Sequence, residues 1–117
     1  MPGVLRSSIK NHLQLAAWAE AIAISWLLHR NWTVCKNVSG HGFVDLICTR
    51  TQGAARARTL LLDVKYYSQE NRSYGRLSDV QKRAGVKILM VEGDGNCRIL
   101  DDQTESEIEN ENNQNCN

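Results

Sequence analysis

Phe43-Val44-Asp45-Leu46-Ile47-Cys48 and Thr59-Leu60-Leu61-Leu62-Asp63-Val64-Lys65-Tyr66-Tyr67 are the two runs that decide the fold. Both are rich in β-branched and large apolar residues and are separated by a polar connection, so they read as neighbouring strands. Each is apolar enough to belong inside a sheet rather than at its rim. Side chains alternate across a strand, which puts Asp63 and Lys65 on one face. Asp45, on the neighbouring strand, reaches that face if the register allows. Two carboxylates and an ammonium at the ends of apolar strands are costly to desolvate unless they pair or hold a metal. Two acids beside a lysine suit a hard cation such as Mg²⁺, with Mn²⁺ able to substitute.

Upstream, Trp32 to Val38 reads as a first strand, carrying Lys36. Ser39-Gly40-His41-Gly42 turns from it into the Asp45 strand. His41 suits a phosphate contact or proton transfer; the simpler reading is a solvent-exposed loop histidine. Before that strand lies a helix that starts at Ser7 or Ser8, or at Asn11 with Gln14 three residues on, and runs to about Arg30. His29 and Arg30 suit the negative end of its dipole, and Asn31 is a stop. Glu20 interrupts an apolar stripe of Leu13, Ala16, Ala17, Ala23, Ile24 and Leu27. By itself it reads as an edge residue reaching to water. Trp18 and Trp26 read as core or dimer contacts.

Downstream, the Arg50-to-Arg58 connection reads as a hairpin-like loop whose Arg50, Arg56 and Arg58 either grip phosphates or keep the loop soluble. Ser68 to Arg76 is a polar segment in which Arg72, Tyr74 and Arg76 combine charge with an aromatic face. Leu77 to Gln81 opens a short helix ending near Gly85, with Lys82, Arg83 and Lys87 as a basic cluster. Ser78 and Gln81 form a capping box. Val86 to Glu92 is a strand, Gly93 to Asn96 a hairpin turn and Cys97 to Leu100 a short edge strand.

The acid on one strand, Asp-x-Lys on the next, a glutamate on the preceding helix and Leu-Ser-x-x-Gln on the following one resemble the PD-(D/E)xK nuclease superfamily. That is the fold of many restriction enzymes, Holliday-junction resolvases and some intron homing endonucleases. The likeness spans roughly residues 8 to 100, and Val44 stands where the name-giving proline would be. It implies an α/β restriction-endonuclease-like core in the order α-β-β-β-α-β-β, with a mixed central sheet flanked by helices. It also implies a Mg²⁺-dependent DNA endonuclease that acts on branched DNA or on a specific duplex site and leaves a 5′-phosphate and a 3′-hydroxyl. Asp45 and Asp63 would be metal ligands with Glu20 assisting, Lys65 would serve the attacking water, and Gln81 would reach back to the site. One chain carries one such site, so cutting two strands implies a homodimer or larger even oligomer. A nuclease fold that binds DNA or protein without catalysis is the alternative.

Composition fits one domain, residues 1–100, followed by a tail, residues 101–117. The 117-residue chain carries 14 Lys and Arg against 13 Asp and Glu. Residues 1–100 hold all 14 bases and seven acids, net +7, and the tail holds six acids and no base, net −6. A basic body suits a polyanion. Its Asn-rich acidic tail lacks the apolar surface to fold alone; it either solubilises the chain or competes for the basic groove. Cys35, Cys48, Cys97 and Cys116 show no zinc-ligand spacing, and three of them fall in strand runs as small buried hydrophobes. No signal peptide and no span of bilayer length are visible, so a cytoplasmic location without membrane contact is expected. No small-molecule cofactor is implied.

Overall fold

Four residues spaced by one helical turn seat the first helix on the sheet. Leu15, Ala19, Ala23 and Leu27 are the buried residues of α1 (His12–His29). The two alanines leave room for the helix to approach its partner strands closely. Asn11 caps it: Asn11 Oδ1 accepts the backbone N–H groups of Leu13 at 2.8 Å and Gln14 at 3.4 Å. Asn31, with φ 66°, ends the turn in the left-handed region that asparagine tolerates. The computed structural model describes residues 11–39, 41–52, 56–67 and 76–100.

The remaining elements are β1 (Thr33–Lys36), β2 (Leu46–Gln52), β3 (Arg56–Tyr67), α2 (Asp79–Ala84), β4 (Val86–Glu92) and β5 (Cys97–Leu100). The class is mixed α/β, with one five-stranded sheet in the order β1-β2-β3-β4-β5. Antiparallel pairing joins β1, β2 and β3; β4 lies parallel to β3 and β5 antiparallel to β4. The apolar strands β2 and β3 are interior, and β5 is an edge, as their composition predicts.

Alternation decides which side chains meet α1. Leu60, Leu62, Val64 and Tyr66 of β3, Leu46 and Cys48 of β2, Leu89 and Val91 of β4 and Ile99 of β5 pack with Ala19, Ala23, Leu27 and Trp32. Asp63 and Lys65 therefore belong to the other row of β3. Tyr66 also meets Trp18 edge-on, ring centroids 6.1 Å apart. On α2, the capping box forms as the sequence predicts, and Gly85 closes the helix at φ 80°.

Several boundaries differ from the sequence reading. The second strand starts at Leu46 rather than Phe43 and runs to Gln52. Side chains occupy the carbonyls that a longer ladder would use: Asn37 Nδ2 donates to Val44 O at 2.9 Å, and Gln81 Nε2 donates to Phe43 O at 3.0 Å. The first strand is shorter than Trp32 to Val38; Trp32 is core and Val38 is exposed. Arg50, Arg56 and Arg58 lie in strands, not in a loop, because β2 and β3 pair from Leu46↔Leu62 out to Gln52↔Arg56. Cys35 is exposed on the edge strand rather than buried, whereas Cys48 is buried and Cys97 half-buried. Ser7, Ser8, Arg72, Tyr74, Cys116 and the tail lie outside the described residues. Among the described residues no helix is long and apolar enough to cross a membrane.

Candidate metal and active site

The unequal lengths of β2 and β3 create the site. β2 begins opposite Leu62, whereas β3 continues to Tyr67 with β4 beside it. From Asp63 onward, the β2 side of β3 has no described strand. Asp45 stands at the start of that edge. Its N–H donates to Leu62 O at 2.9 Å, although the register partner of Leu62 is Leu46. Two residues meeting one is the arrangement of a β-bulge, which re-aims a side chain. Asp45 Oδ2 then accepts the Val64 N–H at 2.8 Å, a donor that a longer β2 would have satisfied.

The Asp45 carboxylate comes beside Asp63 there, since the N–H it accepts belongs to the next residue on β3, Val64. Burial, then the neighbouring Asp63 carboxyl, pushes Asp45 up to about 6 from an ordinary 3.8; the Val64 N–H pulls the other way. The charges of Asp63 and Glu20 add to the upward push. Lys65 Nζ sits 3.2 Å from Asp63 Oδ2. Asp63 is buried, with 7% of its surface exposed, so the lysine compensates a charge that water cannot reach.

Glu20 comes from α1 and pairs with Lys36 of β1, Oε1 to Nζ 3.0 Å. Two open clefts flank Glu20 and Asp45. One, about 320 Å³, is lined also by Lys65, His12 and Tyr66. The other, about 540 Å³, is lined also by Lys36, Asn37, His41 and Gly42. Glu20 is thus partly exposed and ion-paired, neither freely solvated nor set among apolar neighbours alone.

Gln81 forms the capping box and bonds the backbone ahead of Asp45. Its Oε1 accepts the Ser78 N–H at 2.8 Å, closing the capping box, and its Nε2 holds Phe43 O, two residues before Asp45. It positions the acid-bearing segment rather than touching the acids. Asn37, not singled out from sequence, does the same from β1: its Nδ2 donates to His41 O at 2.6 Å as well as to Val44 O. The turn chemistry of Asn37-Val38-Ser39 was the available signal, since Ser39 N–H and Oγ both donate to Asn37 Oδ1.

The nucleic-acid candidates separate. Lys36 and His41 lie at the cleft. Arg76 and Lys82 are exposed on and just before α2. Arg56 and Arg58 are on β3, roughly 17–23 Å along the strand from Asp63. Arg50 is corrected to a structural role: it is 6% exposed, donates to Arg30 O at 3.1 Å and stacks 4.2 Å over Trp32. Its even position on β2 aims it at the α1 core.

The donor set suits a hard cation. Asp45 and Asp63 offer only oxygen, the donor such a cation prefers. Among the described residues no three His, Cys, Asp or Glu side chains already form a ligand cluster. Two carboxylates are enough for Mg²⁺, which keeps several waters. Compared with family models, curated proteins and solved structures, the chain gives no match.

Proposed function

We propose that this protein is a divalent-metal-dependent DNA endonuclease of the PD-(D/E)xK type. The observation that carries the reading is the convergence at the open edge of β3 of Asp45, bonded to the Val64 N–H, with Asp63 and Lys65 on either side of that residue. The antiparallel β1-β2-β3 unit, the parallel β4 and the helix on one face support the restriction-endonuclease-like core that the resemblance implies.

Asp45 and Asp63 would hold Mg²⁺, with Glu20 completing the set directly or through water. When bound, such an ion activates a water and stabilises charge on a phosphate. Lys65 contributes a fixed ammonium within 3.2 Å of Asp63, placed to donate to the attacking water and to the charge developing on phosphorus. Water oxygen joins the phosphorus, the P–O3′ bond breaks, and the products are a 5′-phosphate and a 3′-hydroxyl. Gln81 and Asn37 hold Asp45 in place from either side. DNA is the substrate class, reached through Lys36, His41, Arg76 and Lys82. Cutting both strands calls for a second copy of the chain.

A second reading rests on the Glu20–Lys36 pair. A carboxylate already neutralised at 3.0 Å, with no three-ligand cluster among the described residues, suits a nuclease fold that binds DNA without cutting it. Supercoiled plasmid and a four-way junction, each with Mg²⁺ or EDTA, separate the two. The nuclease cuts at least one substrate only with Mg²⁺. Preference for the junction marks a resolvase, and preference for a particular duplex site marks a homing-type enzyme. Tight binding without cutting under any condition supports the binding module and overturns the proposal.

A further inference from the structure

Lys36 occupies a place that neither the capping of a strand nor the packing of the core explains. It belongs to the edge strand β1, its side chain is 58% exposed, and its ammonium lies 3.0 Å from Glu20 Oε1. The Glu20 side chain is only 23% exposed. The same two residues and Asp45 line one open cleft, so the ammonium stands between an acid and the space through which a phosphate would enter. We propose that Lys36 is a positioning residue that holds Glu20 away from the cation until a phosphate of the DNA backbone takes the ammonium over. The inference rests on the nuclease reading given above.

Exchange of partners is feasible because the pair is weak. An ion pair with one half-exposed member is screened by water and easily broken. A backbone phosphate offers Lys36 a full negative charge, and the lysine's four-carbon stem lets it swing. Glu20, left behind in a mostly dry position, then gains from a second positive charge. Anion binding and cation binding are thereby coupled, and each must strengthen the other to the same degree.

Mn²⁺ alone, titrated calorimetrically into the full chain, tests this without any cleavage readout. Four proteins form a double-mutant cycle: the unaltered chain, Lys36→Met, Glu20→Gln and both together. Freeing Glu20 in Lys36→Met should tighten Mn²⁺ binding about two- to five-fold, the range a weak ion pair implies. In the Glu20→Gln background the Lys36→Met change should alter affinity less than about 1.5-fold, because no carboxylate remains to be freed. An equal tightening in both backgrounds would show simple charge repulsion and overturn the inference, as would no tightening in either. Failure of every protein to bind Mn²⁺ would sink the nuclease reading itself. Binding that is indifferent to Lys36 sinks only this inference.

Discussion

Replacing Asp63 with alanine should lower Mg²⁺-dependent DNA cleavage by about 10³-fold or more, while leaving the fold intact. The size follows from removing a ligand whose cation both makes the nucleophile and stabilises the transition state. The fold should survive because Asp63 costs as much as it gives. It is buried beside a second carboxyl, and its partner Lys65, 35% exposed at the side chain, can turn to water when the acid is gone. Cleavage of plasmid and junction, followed at equal protein concentration, is the measurement. Circular dichroism of the variant guards against a trivial loss. Activity within tenfold of the unaltered protein would remove Asp63 from the chemistry.

Asp45→Asn should do two opposite things: abolish cleavage and raise stability at alkaline pH. Asp45 is pushed up to about 6, chiefly by burial and then by the Asp63 carboxyl beside it. A folded value above the unfolded one means a contribution that is fully present below pH 4 and lost as pH rises through about 6. At pH 8 the ionised Asp45 therefore weakens the fold. Taken at full weight the shift is worth about 3 kcal/mol. Solvent screening of this half-buried group reduces it to roughly 1 kcal/mol. Asparagine has no charge to lose, and its side-chain oxygen can still accept the Val64 N–H. Urea unfolding should show the variant more stable by about that amount at pH 8, and no more stable at pH 4. Parallel pH profiles for the two proteins would contradict the assignment. Stability gained where activity is lost is what a strained functional site should show.

The pattern of apolar runs was enough to place both helices, all five strands and the interior rank of β2 and β3. Asp63 and Lys65 were legible because strand alternation is a local property. What could not be read was the meeting of Asp45 with Asp63. It depends on where β2 begins, ahead of which Asn37, seven residues from Val44, and Gln81, 38 residues from Phe43, take the two carbonyls. Charge misled at Arg50. An arginine opening a polar, arginine-rich connection reads as loop, yet here its guanidinium is paired with a carbonyl and an indole under the helix. Glu20 was legible as an anomaly in an apolar stripe, but its partner Lys36 was not. No spacing rule joins a helix to the strand that follows it.

Diffraction from crystals grown or soaked with millimolar Mn²⁺, collected near the manganese absorption edge, tests the central claim most directly. A single anomalous peak is expected between the Asp45 and Asp63 carboxylates at the open edge of β3, absent from crystals of Asp63→Ala. No peak between those two carboxylates in the presence of the ion, with the protein otherwise folded as described, would overturn that claim.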